Sequence, residues 1–504
     1  MNHSEPNLQC TTGIKECLPI KNLEELLSWS PDQCPNITKL VSDLENHVFF
    51  DGPKVIVCHD MKGGYLEDRF IDGDDNHEAY RFFHWNLVDT FIYFSHYFIS
   101  IPPITWINAA HVNGVPVLGT IITEGSIGRE LCEKLLKSDD IINSVCEKLI
   151  ALAKHYKIEG WFINIENEIE ESLIPKLIHF IKTLRRLIKQ SINQAQVLWY
   201  DSVTIEGSLK WQNCLNNRNV DFFQSCDGIF LNYTWKDDDL KNSRDLALSL
   251  GRLNDVYVGV DVFGRGMFGD GGFKTNLAID KIRENLLSIA IFAPGWVLEI
   301  LGPNDFTNNQ IKFWRELQLE IRHSPKVLPF STNFCQGFGL SKFVNGCKVQ
   351  DKSWFNLSLS NTTTRNYVED EIFLQDAFDG GHSIRMVDWN EPILSCYFNL
   401  DFGLVIDLIY KVTGSSKALM TPKIKVQCRN SEANKTSLER IECDSALENF
   451  GDSLASWHRA RFLLPVSNDQ VLTSIYVEKF PLSGESKFLL GLLKICVPDD
   501  VQQK

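Results

Sequence analysis

Gly160-Trp161-Phe162-Ile163-Asn164-Ile165-Glu166-Asn167 is the stretch that decides how this chain is read. Gly160 to Ile165 is almost continuously apolar, and it is too short for a stable helix. A parallel strand covered on both faces has this composition. Side chains alternate across a strand. Ile163 and Ile165 therefore share one face, and Asn164 and Glu166 share the other. An amide and a carboxyl at the end of a buried strand are costly to enclose without partners. They are either a hydrogen-bonded structural pair or a place where something binds.

Seven further runs read the same way: Val55–Cys58, Thr90–Ser95, Val115–Ile122, Val197–Tyr200, Gly228–Tyr233, Val256–Phe263 and Trp296–Leu301. Helical patterns lie among them at Ser138 to Tyr156, Pro175 to Ile188, Asp280 to Phe292 and, beyond the last run, Asn309 to Leu317. Eight strands alternating with helices over about 250 residues predict a TIM barrel. An open doubly wound sheet is the alternative, but no G-x-G-x-x-G follows the first run, as a dinucleotide fold requires. After about residue 325 helical patterns fade. Short alternating strands follow at Trp354–Leu359, Ser383–Val387, Leu394–Phe402, Leu404–Val412, Lys423–Cys428, Leu472–Phe480 and Phe488–Val497. They predict a β-sandwich, with Glu432 to Asp452 as a helical or loop insert. The expected fold class is thus α/β, a (β/α)8 TIM barrel followed by one or two β-sandwich modules. Residues 1–45 are expected to pack on the barrel, 46–325 to form it as the catalytic domain, and 326–504 to form the sandwich region.

The whole chain of 504 residues has 50 Lys and Arg against 65 Asp and Glu, a net charge of −15. That balance argues against nucleic acid or an anionic membrane as partner, since both need clustered cations. Met1 to Cys10 is polar, without the apolar core of a signal peptide. Leu87 to Pro103 is interrupted by Asp89, Ser95 and His96 and does not suit a bilayer. The 14 Cys include no C-x-x-C pair and read as reduced thiols. Sequons at Asn36, Asn232, Asn356 and Asn434 carry no meaning outside the secretory pathway, and a cytosolic location is expected. The 12 His show no ligand spacing, so no metal site is expected. Neither a phosphate-binding loop nor a G-x-S-x-G elbow is present, and no cofactor is expected.

A barrel places its site at the carboxyl ends of the strands. There the sequence offers His59-Asp60, His96, Trp199-Tyr200-Asp201 and Asn232-Tyr233-Thr234-Trp235. Asp261 shares a face with Gly259 and Phe263, and Glu299 interrupts the eighth apolar run. Carboxylates, amides and aromatic platforms together suit a sugar. Two readings stay open, an active glycosidase and a lectin-like protein that keeps the cleft without the chemistry. Among glycosidases, an ordinary retaining enzyme would use Asp261 or Glu299 as nucleophile. Glu166 would need a raised pKa to act as an acid near neutrality; Asn164, being neutral, does not compete for its proton.

Several motifs occur in order along the chain: Leu23-Glu24-Glu25-Leu26-Leu27-Ser28-Trp29, Cys58-His59-Asp60-Met61-Lys62-Gly63-Gly64-Tyr65, Ile163-Asn164-Ile165-Glu166-Asn167, Leu231-Asn232-Tyr233, Val258-Gly259-Val260-Asp261-Val262-Phe263-Gly264-Arg265-Gly266 and Phe292-Ala293-Pro294-Gly295-Trp296. With these the chain resembles the cytosolic endo-β-N-acetylglucosaminidases of glycoside hydrolase family 85. The resemblance implies cleavage between the two GlcNAc residues at the base of an N-glycan, on a glycopeptide or a free oligosaccharide. It implies substrate-assisted, retaining catalysis through an oxazoline. By motif position Glu166 matches the general acid/base, and Asn164 the residue that orients the acetamido N–H. Tyr200 matches a tyrosine that hydrogen-bonds the acetamido carbonyl. Trp211 and Trp235 match aromatics on the acceptor side, beside Thr234, where some relatives carry a bulkier residue. His59, Asn232, Asp261 and Glu299 complete the expected substrate-binding set.

Overall fold

In the computed structural model, which describes residues 15–34, 37–44, 52–414, 421–430, 435–444, 448–450, 457–479 and 485–498, eight parallel strands close on themselves. They are Val55–His59 (β1), Thr90–Tyr93 (β2), Val117–Glu124 (β3), Gly160–Glu166 (β4), Gln196–Tyr200 (β5), Gly228–Leu231 (β6), Val256–Asp261 (β7) and Ser288–Phe292 (β8). Each pairs in parallel with the next, and β8 pairs back onto β1 with Val57 opposite Ile291. Closure excludes the open sheet. Ile56, Ile92, Leu118, Phe162, Leu198 and Phe230 pack inside the barrel. The odd neighbours on β1 and β4, such as Val57, Ile163 and Ile165, belong to the outer face, which the helices cover. This two-sided burial is why the strands read as continuous apolar runs.

The helices follow their sequence signals. Asp139–Tyr156 opens on Ser138, whose side chain accepts from Ile141 N, and ends at Lys157 in the left-handed conformation (φ 54°). Ile174–Ser191 carries Pro175 in its first turn, where a missing N–H costs nothing. Leu23–Ser28 is capped by Asn22, and the Trp29 ring meets His155 edge-on at 5.6 Å.

The eighth strand corrects the sequence reading. Trp296–Leu301 is a helix, and β8 is Ser288–Phe292, inside the stretch expected to be helical. Ser288–Phe292 is buried at every position, as a barrel strand must be, whereas only Val297 is buried in Trp296–Leu301. Ala293, at φ 57°, and Pro294-Gly295 turn the chain between the two. Glu299 thus lies on a helix after the barrel's last strand.

By its contacts the chain forms two units, residues 1–72 with 87–322, and 73–86 with 323–504. Residues 73–86, inside the stretch expected for the barrel, join the second unit. Asp74 pairs with Phe355 in both directions, N to O, at 2.9 and 2.7 Å. In the second unit Leu404–Val412 pairs with Trp457–Leu464 and Phe488–Cys496 in a seven-stranded sheet. Leu394–Leu400, Ser467–Val477, Ile424–Asn430 and Thr436–Ile441 form a four-stranded sheet. Leu408, Phe462 and Leu493 of the first sheet share one core with Phe398, Val426 and Ile475 of the second, so this is a β-sandwich. Thr436–Ile441 replaces the helix or loop expected between Glu432 and Asp452. Residues 431–434, with the sequon at Asn434, lie outside the described residues, as do Asn36 and Met1 to Cys10.

Candidate active site

The inward face of each barrel strand continues into the mouth. On β4 Phe162 fills the barrel, and Asn164 and Glu166 follow it upward on the same face. Asn164 Nδ2 donates to Glu166 Oε1 at 3.3 Å. Asn164 is 2% exposed, and its Oδ1 is buried with no hydrogen-bond partner among the described residues. A buried acceptor left open in a polar mouth is a place for a ligand N–H. Burial raises the Glu166 pKa above the ordinary value; the Asn164 hydrogen bond opposes this, the Glu124 charge adds to it and His96 opposes it. Glu166 therefore stays protonated at higher pH than a free carboxyl, as a proton donor requires.

Glu124 ends β3 directly beside Glu166 in register. It pairs with His96 at 3.1 Å, and this bond raises the His96 pKa against burial. The β3 run reads Leu118, Thr120, Ile122, Glu124 on one face, so alternation carried one step past Ile122 would have found Glu124.

Tyr200 ends β5 on the inward face, against Phe162 and Phe230. Its hydroxyl donates to Asn232 Oδ1 at 2.8 Å. Asn232 Nδ2 in turn donates to Asn213 Oδ1 at 2.8 Å. Burial raises the Tyr200 pKa well above its usual value, so the phenol keeps its proton. Trp235 is buried, with its indole N–H on Gly259 O at 2.9 Å and its ring stacked on Phe268. Trp211, on the loop after β5, is 39% exposed.

Asp261 ends β7 fully buried. Its oxygens accept from Arg265 Nε at 2.7 Å and Nη2 at 3.0 Å, and from the backbone N–H of Phe263 and Arg265. It anchors the following loop. Glu299, on its helix, accepts from the Lys62 backbone, and burial followed by the Asp60 charge raises its pKa. Asp60 is likewise raised by burial, against the charges of His96 and Arg265.

His59 is not on the mouth face. Alternation along β1 puts Ile56 and Cys58 inside, and the His59 ring lies against Trp106 at 4.5 Å and Phe91 at 6.0 Å. Burial lowers its pKa to about 3. The mouth residue from β1 is Asp60, one position later. The structure thus brings Asn164, Glu166, Tyr200 and Asn232 to the inward strand ends, with Asp261 tied to its loop. Asn213 and Arg265 were not singled out from the sequence, because side-chain partners 19 and 4 residues away leave no periodic signal. Among the described residues no cluster of three or more His, Cys, Asp or Glu could hold a metal, and no helix is long and apolar enough to cross a membrane.

The family model for glycosyl hydrolase family 85 matches residues 65–342. A cytosolic endo-beta-N-acetylglucosaminidase of Gallus gallus is 42% identical over 394 residues, 76% of this chain and 54% of the relative. The protein of that name from Mus musculus is 38% identical over 421 residues, 79% of this chain and 57% of the relative. The chain spans about half the length of these curated relatives. The crystal structure of the glycoside hydrolase domain of Endo-D from Streptococcus pneumoniae R6 superposes with a TM-score of 0.76 at 21% identity, covering 96% of this chain and 84% of that one. That likeness shows the shared fold.

Proposed function

The chain belongs to glycosyl hydrolase family 85, and from that premise we propose that it is a cytosolic endo-β-N-acetylglucosaminidase that hydrolyses the β-1,4 bond between the two core GlcNAc residues of N-glycans. Its substrates would be glycopeptides or free oligosaccharides.

The observation that carries this reading is the pair on β4. Asn164 donates to Glu166 at 3.3 Å while its own buried oxygen has no partner among the described residues. In the proposed reaction that oxygen accepts the N–H of the acetamido group on the sugar to be cleaved, holding the acetamido carbonyl beneath the anomeric carbon. The carbonyl oxygen forms a bond to the anomeric carbon as the bond to the leaving O4 breaks. Glu166 gives its proton to that O4. The Asn164 oxygen stabilises the positive charge growing on the acetamido nitrogen. The Tyr200 O–H, still bonded to Asn232 Oδ1, is shared with the acetamido oxygen and fixes its position. The result is an oxazolinium, the protonated oxazoline, whose N–H stays on the Asn164 oxygen. Water then attacks the anomeric carbon as the bond from that carbon to the acetamido oxygen breaks, restoring the acetamido group, and Glu166, now a carboxylate, takes the water's proton. Two inversions retain the anomeric configuration.

An enzymic carboxylate nucleophile is less favoured, because Asp261 has both oxygens on the Arg265 guanidinium. A lectin-like role is less favoured too, because it gives no reason for a carboxyl whose pKa burial raises at the mouth of the barrel. A high-mannose glycopeptide incubated with the protein should yield, by mass spectrometry, a peptide retaining one GlcNAc. An unchanged glycopeptide would reject the reading.

A further inference from the structure

Tyr200 is held in place by a relay that begins in the loop that follows it. The chain leaves β5 at Tyr200 and returns through residues 202–219 before the helix Val220–Ser225. This loop is fastened to Asp201. The buried Asp201 carboxylate accepts from Gln212 N at 3.0 Å, Asn213 N at 2.7 Å and Asn219 Nδ2 at 3.0 Å. Asn213 sits at φ 58°, in the left-handed region that Gly, Asn and Asp accept most readily. That backbone turns its side chain onto the segment leaving β6. Asn213 Oδ1 accepts from Asn232 Nδ2 at 2.8 Å, Thr234 N at 3.0 Å and Thr234 Oγ1 at 2.8 Å.

The bond from Asn232 Nδ2 decides which way the Asn232 amide faces. An amide has one oxygen and one nitrogen end. With Asn213 Oδ1 taking an N–H from Asn232, the Asn232 oxygen is left to face Tyr200, and it accepts the hydroxyl proton at 2.8 Å. Were the Asn232 amide reversed, its NH2 group would meet the Tyr200 hydroxyl and its oxygen would meet the Asn213 oxygen, a repulsive pair. The same Asp201 bonds fix Gln212, next to Trp211. The placements of Tyr200 and of Trp211 therefore rest on one anchor.

We propose that Asn213 is a positioning residue for the reaction: it sets the orientation of the Asn232 amide and, through it, the place of the Tyr200 hydroxyl beside the acetamido group. The proposal rests on the endoglycosidase reading above, and it predicts that Asn213 acts through Tyr200.

A double-mutant cycle tests this. Turnover and KM are measured on a high-mannose glycopeptide for the wild type, Asn213→Gly, Tyr200→Phe and the double variant, with thermal unfolding to check folding. Glycine accepts the left-handed backbone and removes only the side chain. Asn213→Gly should lower kcat about tenfold or more, with KM changed less than about twofold. In the Tyr200→Phe background the same substitution should cost less than about twofold, since its route is already gone. Asn213→Asp, which keeps the acceptor, should restore most of kcat. Equal fold-losses in both backgrounds, or no loss from Asn213→Gly, would overturn the proposal. If Asn213→Gly does not fold, Asn232→Leu takes its place in the cycle, breaking the relay's middle while leaving the Asp201 anchors. An inactive wild type would instead reject the endoglycosidase reading itself, which separates the two failures.

Discussion

Asp261 and Arg265 form a two-pronged ion pair, with Nε and Nη2 at 2.7 and 3.0 Å from the two carboxylate oxygens. The carboxylate is buried and the guanidinium side chain is 64% exposed. The backbone N–H groups of Phe263 and Arg265 complete its partners. A carboxylate so occupied would have to break several bonds to attack a sugar. Its role is to shape the loop after β7. Arg265→Gln should therefore destabilise the protein by about 1–3 kcal/mol, as expected when a buried acceptor loses its partner. Chemical denaturation measures this; unchanged stability would show that the loop does not need the pair.

Glu166→Gln keeps the shape of the side chain and removes the titratable proton. Turnover should fall by roughly 10²–10⁴ or more, with little change in melting temperature. Hydrolysis of glycopeptide at near the wild-type rate would remove Glu166 from the role of acid.

The pH profile should respond to His96. The first step needs Glu166 protonated, so the alkaline limb of activity follows its ionisation. His96, its pKa raised by the bond to Glu124, favours ionised Glu166 when it carries its proton and so a positive charge. His96→Gln removes that charge and leaves the Glu124 carboxylate uncompensated. Both changes hold the Glu166 proton more tightly, so the alkaline limb should move to higher pH. A shift to lower pH in the rate profile would contradict this electrostatic reading.

Asp201 gives a stability test. Burial pushes its pKa up to about 6, against hydrogen bonds led by Asn219. The folded state thus holds the proton more tightly than the unfolded chain, whose carboxyl has the ordinary value of 3.8. Between those two values the unfolded chain binds fewer protons, so this group's contribution to stability falls as pH rises and levels off above about 6. Asp201→Asn lacks the titration. Melting curves over this range should show the wild type losing stability relative to the variant as pH rises. A constant difference would mean that the Asp201 pKa is not raised.

How much of this was legible in the sequence depended on whether a residue's partners were periodic. Asn164 and Glu166 lie two apart on one strand, so alternation alone places them together. The sandwich strands Leu394–Leu400 and Ile424–Asn430 alternate in burial and were read from that alternation, whereas Trp354–Ser360, read the same way, pairs instead with Gln336–Gly339 in a separate two-stranded sheet. The eighth strand was misplaced because the helical pattern beginning at Asp280 was carried through Ser288-Ile289-Ala290-Ile291-Phe292, which left Trp296-Val297-Leu298-Glu299-Ile300-Leu301 as the next apolar run. Only closure of the barrel onto β1 decides between them. His59 could have been excluded by continuing the alternation of β1, which turns Cys58 and Asp60 inward. Asn213 had no such signal. Its role depends on a left-handed backbone and on partners from another strand's end.

The central claim is that the acetamido group of the substrate, held by Asn164, is the nucleophile. Asn164→Ala supplied with a preformed sugar oxazoline tests it most directly. The account predicts that this variant loses most hydrolysis of intact glycopeptide yet still transfers the oxazoline sugar to a GlcNAc acceptor, with Glu166 as base. Loss of both activities in a folded variant, or an added sugar mass on Asp261 or Glu299 after a fluorinated donor, would contradict it.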